Sequence, residues 1–331
     1  MRIAVTGSIA TDHLMVFPGR FADQLLEGRL AAVSLSFLAD RLEVRRGGVG
    51  ANISFGLARL GLRPLLVGAA GVDFAEYGRW LAGAGVDTSG VRVSDALHTA
   101  RFVCTTDEEH NQIATFYAGA MSEARHIDLA EAHRRRTLDL VLVGADDPEA
   151  MLRHTATAHR LGIPVAADPS QQLARLDAEQ VRSLVEGARY LFTNAYESAL
   201  LMERTGWSEE EVLRRVGTWA VTHGAGGVRL LTVDRPPVPV PAVVPQRVVD
   251  PTGGGDGLRA GFLAALSWGL PAERAAQLGC ALATVVLESV GTQEYKLLPT
   301  DLLASVECAY GVDAARDLAP HLDGPVPDER R

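Results

Sequence analysis

Short apolar runs that end in a polar residue or glycine punctuate the middle of the chain. Leu140 to Val143 precedes Gly144, Ile163 to Ala167 precedes Asp168, and Tyr190 to Phe192 precedes Thr193. Segments rich in Ala, Leu, Arg and Glu with helical spacing separate them. This is the rhythm of a parallel sheet with helices on both faces, whose strands are apolar throughout because neither face meets water. Ile3 to Val5, before Thr6-Gly7-Ser8, reads as one more such strand. Ligands of such sheets bind beyond the carboxyl ends of the strands, which directs attention to the residues after each run.

Elsewhere the pattern changes. Leu30 to Arg46, Ala100 to Thr105 and Ile113 to Tyr117 alternate apolar and polar positions, as half-exposed antiparallel strands do, and Asp107 to Asn111 reads as a hairpin turn between the last two. These strands predict a small sheet standing apart from the main fold, a lid, drawn from about residues 13–47 and 97–120. Five prolines between Pro236 and Pro245 predict an extended edge connection. The expected organisation is one α/β domain over residues 1–312 and a C-terminal tail over 313–331.

Composition narrows the function classes. Of 331 residues, 47% are hydrophobic, and the net charge of −9 argues against a general nucleic-acid or anionic-membrane surface. The N-terminal apolar run is too short for a signal peptide and no stretch approaches a membrane span, so a cytoplasmic protein is expected. Cys104, Cys280 and Cys308 are too scattered for a disulfide framework or a zinc site. Lys296 is the only lysine. Neither a Walker A lysine nor a protein-kinase strand lysine is therefore available, and any ATP phosphates must be held by backbone amides, arginines and a metal ion.

The densest chemistry lies in Asp250-Pro251-Thr252-Gly253-Gly254-Gly255-Asp256-Gly257, followed by helical spacing from Leu258 to Leu266. Consecutive glycines at a helix start leave bare N–H groups beside the positive end of the helix dipole, an anion site. Asp256 beside such a site can take the proton of an attacking hydroxyl. A flexible turn capped by an aspartate is the plain alternative. Gly257 favours the first account, because glycine in a first helical turn costs about 1 kcal/mol against alanine and needs a reason.

Asp-x-Thr-Gly-x-Gly-Asp opening a helix resembles the C-terminal signature of the ribokinase-like (PfkB) carbohydrate and nucleoside kinases. Arg46-Gly47-Gly48-Val49-Gly50-Ala51-Asn52 resembles the family's Gly-Gly…Asn segment. The resemblance implies a three-layer fold with a mostly parallel central sheet, flanking helices and a β-sheet lid. It makes Asp256 the general base and the amides of Gly253, Gly254 and Gly255 the anion hole. Ser8, Asp12, Gly48 and Asn52 become substrate-binding residues, with Asp12 and Asn52 on the sugar hydroxyls. Asn194 and Glu197 match an Asn-x-x-Glu element near the phosphates, with Glu197 on Mg²⁺ through water. Thr222, Gly224 and Gly227 match a nucleotide-contacting loop. ATP and Mg²⁺ are implied, and K⁺ with Asp250 and the loop around Gly291 as ligands. Gly254 and Gly257 depart from the family pattern, where a small non-glycine residue and alanine are usual, and looser backbone in the anion hole is the expected consequence.

Within the family the chain most resembles the adenosine kinases of actinobacteria, through segments such as Ser8 to Met15, His98 to Phe102, Ala118 to Arg125 and Asp168 to Leu173. That resemblance implies Phe102 and Phe116 sandwiching the purine, Gln172 near the base edge, adenosine phosphorylated on its 5′-hydroxyl to AMP, and a homodimer formed through the lid. A kinase for another nucleoside or a free sugar of the ribose or fructose type, and a weakly active nucleotide-binding paralogue, remain open at this level.

Overall fold

The computed structural model describes residues 1–24 and 35–322. In chain order its strands are β1 (Ile3–Thr6), β2 (Ala10–Val16), β3 (Arg41–Gly47), β4 (Leu65–Ala70), β5 (Asp87–Val93), β6 (Ala100–Thr106), β7 (Gln112–Tyr117), β8 (Leu140–Val143), β9 (Val165–Ala167), β10 (Tyr190–Asn194), β11 (Thr218–Thr222), β12 (Val228–Leu231) and β13 (Val238–Val240). Nine form one sheet in the order β13-β12-β11-β10-β9-β8-β1-β4-β5, and four form a second, β3-β2-β6-β7. The large sheet is parallel from β5 to β11, with β12 and β13 antiparallel at one edge. The proline-rich segment supplies that edge strand. This is the ribokinase-like fold.

Strand alternation explains the unbroken apolar runs. Leu140 and Leu142 face one core while Val141 and Val143 face the other. The first core is closed by the helices Val49–Arg59, Gly254–Ser267 and Ala272–Leu287, which contribute Ile53, Phe262 and Leu278. The second is closed by Pro148–Arg160, Ala178–Val185 and Ala195–Thr205, through Met151, Val181 and Leu201. No described helix is long and apolar enough to cross a membrane.

Three expectations need correction. The lid is mixed: β2 and β6 run parallel, and only its outer pairings are antiparallel. β2 follows β1 and β6 follows β5, two parallel strands of the large sheet, so both leave its carboxyl edge in one direction. Of the alternating stretch Leu30 to Arg46, strand begins only at Arg41, and residues 30–34 lie outside the described residues. The chain beyond 312 is a helix, Val312–Leu322, that buries Ala314, Leu318 and Leu322 in the first core; of the expected tail, residues 323–331 lie outside the described residues. The turn after β6 is as expected, with Asp107 Oδ1 accepting the N–H groups of Glu109 and Asn111 at 3.0 and 2.8 Å.

Candidate active site

The glycine run forms the head of the Gly254–Ser267 helix. Asp250 Oδ1 accepts the Thr252 N–H at 2.9 Å, and Gly253 turns the chain with φ +80°. A Cβ there would also meet Thr292 Cγ2 at 2.8 Å, so only glycine fits. The first ladder bond runs from Gly257 N–H to Gly253 O at 2.9 Å. The N–H groups of Gly254, Gly255 and Asp256, which precede it, have no intrahelical acceptor and are left for an anion. Gly254 and Gly257 are packed rather than loose. A Cβ at Gly257 would lie 3.2 Å from Ala283 Cα, and one at Gly254 would lie 3.0 Å from Leu287 Cδ2. The neighbouring Ala272–Leu287 helix presses on this turn, which accounts for both departures from the family pattern.

Asp256 sits in this turn and is oriented from across the cleft. Its Oδ2 accepts Asn52 Nδ2 at 2.8 Å. Asn52 Oδ1 in turn accepts Thr292 Oγ1 at 2.8 Å and Gln293 Nε2 at 2.9 Å. Gln293 Nε2 also donates to the Tyr77 hydroxyl at 2.6 Å, and Tyr77 donates to Gly47 O at 2.8 Å. Asn52 thus holds the Asp256 carboxylate, besides the sugar contact expected of it. Burial pushes the Asp256 carboxyl up to about 6, while the Asn52 hydrogen bond and Arg259 pull it down and Asp168 adds to the rise. The group is ionised at neutral pH and basic enough to accept a proton in a transition state.

The lid brings its residues into one row. Arg45 on β3 pairs with Asp12 on β2, Asp12 with Phe102 on β6, and Phe102 with Phe116 on β7. Directly paired residues share a sheet face, so one face presents a cation, a carboxylate and two aromatic rings in sequence. Phe102 and Phe116 are side-by-side neighbours here, not opposed jaws. The Asp12 carboxyl has no hydrogen bond among the described residues, and burial raises it to about 6 against the pull of Arg45. Gly48 has φ +95°, and a Cβ there would run into the backbone of Ser8 to Ala10. Ser8 Oγ accepts the Val49 N–H at 3.1 Å, so this residue serves the start of the Val49–Arg59 helix. Gln172 is buried, with Nε2 donating to Asp146 O at 2.8 Å and Oε1 unpartnered.

On the other side of the glycine turn a cleft of ≈ 470 Å³ is lined by Thr222, Gly224 and Gly227 together with Gly254 and Gly255. Val243, Val244, Leu258 and Leu287 make its wall apolar, as a flat purine ring requires. Asn194 and Glu197 are not among its lining residues. They form a capping box at the head of the Ala195–Thr205 helix, each side chain accepting the other's N–H at 2.8 Å. No group of three or more metal-ligating side chains exists among the described residues. Mg²⁺ keeps most of its waters and is held largely by substrate phosphates, so it does not require such a group.

The residues expected to hold K⁺ do not fit it. Besides the Thr252 N–H, the Asp250 carboxylate accepts the Gly291 N–H at 3.1 Å and Arg45 Nη1 at 2.9 Å. Both oxygens are committed to donors, and Arg45 already supplies the positive charge a cation would bring.

Residues 6–301 match the family described as pfkB family carbohydrate kinase. The chain belongs to this family. Among PfkB relatives it is 31% identical over 249 residues to a nucleoside kinase of Methanocaldococcus jannaschii, across 75% of this chain and 80% of that protein. It superposes on the structure of Burkholderia thailandensis nucleoside kinase in complex with inosine with a TM-score of 0.82 and 32% identity, covering 93% of this chain and 98% of that one. A ribokinase of Thermotoga maritima, at 21% identity, shares the fold with a TM-score of 0.75, over 93% and 99% of the two chains. The PfkB signature in the sequence did not reveal Arg45, Tyr77, Thr292 and Gln293 as supports of the site. The only sequence signal for the last two was the polar stretch Thr292 to Glu294 just after Gly291.

Proposed function

We propose that this PfkB protein is an ATP-dependent nucleoside kinase that phosphorylates the 5′-hydroxyl of adenosine to give AMP. The observation that carries this reading is the lid row, which sets aromatic rings beside a carboxylate: Asp12 suits two ribose hydroxyls, and Phe102 with Phe116 suits a flat base lying across them. A free sugar would leave both rings idle. The Burkholderia relative, described both with inosine and in an ADP-inosine complex, supports a purine nucleoside opposite a nucleotide.

In this reading the 5′-hydroxyl points at Asp256, which takes its proton as oxygen bonds to the γ-phosphorus. The bond from that phosphorus to the β–γ bridging oxygen breaks, and ADP leaves. The N–H groups of Gly254, Gly255 and Asp256 donate to the oxygens of the transferred group. Bound Mg²⁺ supplies charge neutralisation on the ATP phosphates. Asp250 takes no monovalent cation.

An ADP-release assay with adenosine, inosine, cytidine, ribose and fructose tests this, run in potassium and in choline buffers. Adenosine should turn over fastest, and equally in both buffers. Turnover of free sugars alone would remove the purine assignment, and no turnover would remove the kinase. Phe102→Ala should raise the adenosine KM about tenfold or more, since a stacked base is worth about 1–3 kcal/mol, while leaving any ribose KM unchanged.

The reading includes a homodimer through the lid. The face opposite the Asp12 row exposes Leu42, Val44 and Ile113, an apolar surface suited to a second copy. Sedimentation should show a dimer that Leu42→Glu with Val44→Glu converts to monomer; a monomeric wild-type protein would rule it out.

A further inference from the structure

Arg259 follows Asp256 by one helical turn on the same helix face and is buried. Its Nη2 donates to Asp168 Oδ1 at 2.6 Å, and its Nε lies 2.6 Å from Asp168 Oδ2. Asp168, 1% exposed, is fixed just past β9 by its N–H to Val143 O at 2.9 Å. The guanidinium carbon lies 5.7 Å from the Phe192 ring centroid. Nη1 reaches the glycine turn, where a Cβ on Gly255 would come within 2.8 Å of it. A buried ion pair stabilises a fold little better than well-packed apolar residues would. Its place under the catalytic turn therefore calls for another reason.

We propose that Arg259 is a positioning residue for phosphoryl transfer: Asp168 aims its guanidinium so that Nη1 supports the Gly255 turn and its charge keeps Asp256 a carboxylate. This rests on Asp256 being the base. The surrounding groups leave Arg259 as the cation that matters. Asn52 from the Val49–Arg59 helix is neutral, and Tyr295 from the loop after the Ala272–Leu287 helix is a buried phenol held well above its ordinary value. Arg59 acts on Tyr295, and Glu197 adds negative charge near Arg259 and Asp168. Burial opposes the charge on Arg259, and Asp168 with Asp256 outweighs it.

The test is the pH profile of kcat with Mg-ATP and adenosine for the full chain and for Arg259→Met, Arg259→Lys, Asp168→Asn and Asp256→Asn. Arg259→Met should move the acid limb up by about one pH unit, with turnover recovered at higher pH. Arg259→Lys should keep the limb near its wild-type position. Asp168→Asn, whose amide oxygen can still accept the Nη2 bond and keep the guanidinium aimed while a negative neighbour is removed, should move it down. A merely structural pair predicts lower amplitudes with unmoved limbs, or shifts in one direction for both partners, and either result overturns the proposal. Should Arg259→Met fail to fold by circular dichroism, Asp168→Asn decides: a limb at or above the wild-type position overturns it. Wild-type turnover in Asp256→Asn would overturn the base and the inference together. A dead Asp256→Asn with unmoved limbs would overturn the inference alone.

Discussion

Asp256→Asn should lower kcat by about 10³-fold, within the range a general base contributes, while the KM values for ATP and adenosine change little. The amide is close in shape to the carboxylate, and its oxygen can still accept the Asn52 Nδ2 bond. What it loses is the capacity to take a proton, which matters only in the transition state. The wild-type acid limb should reflect the same group. Its carboxyl is raised to about 6, and only the ionised form works, so kcat should fall as pH drops through that value. Asp12 titrates in the same region in the free protein, so kcat/KM should fall more steeply than kcat. Steady-state kinetics from about pH 5 to about pH 8 read both limbs, and a mutant retaining the wild-type kcat limb would exclude Asp256 as the base.

Gly48→Ala should cost about 3 kcal/mol of stability and about 10²-fold in kcat/KM. The added Cβ would lie 2.5 Å from Ser8 O, 2.7 Å from Ala10 N and 2.8 Å from Ile9 Cα, all backbone atoms with nowhere to go. The φ of +95° adds conformational strain. Either the start of β2 or the head of the Val49–Arg59 helix must shift. The first carries Asp12 and the second carries Asn52, so both ends of the acceptor site are misplaced. Gly61→Ala is the control. It has φ +84° but open space around it, so it should cost only about 1 kcal/mol and no activity. Thermal melts with adenosine kinetics separate the two, and matching behaviour would show that close approach at Gly48 is unimportant.

Much of this site could be read from the sequence because its parts are local. The proposed anion hole and the proposed base fall within seven consecutive residues, Asp250 to Asp256, and glycine spacing speaks directly about backbone N–H groups. Phe102 and Asp12 were assigned by resemblance, and their shared row depends on a strand register that no short segment encodes. The network that supports Asp256 is hidden for the same reason. Asn52 meets Thr292 and Gln293 across about 240 positions of sequence, and Arg45 meets Asp250 across 205. Such pairs exist only once the lid and the helices are docked. The C-terminal helix is obscured in the sequence because the charged residues Asp328 to Arg331 suggest a frayed end, although Ala314, Leu318 and Leu322 keep a regular apolar spacing.

Arg45 belongs to the lid, whereas Asp250 belongs to the loop that leads into the glycine turn. An outward swing of the lid must therefore pull the arginine from its carboxylate. Asp250 would then keep only the N–H groups of Thr252 and Gly291 as partners, and on the proposed function its carboxylate would repel the phosphates of a bound nucleotide. Closing the lid over an acceptor restores the cation. On the proposed function, the ion pair would work like a dead-man's handle, releasing the reaction only while something is being held.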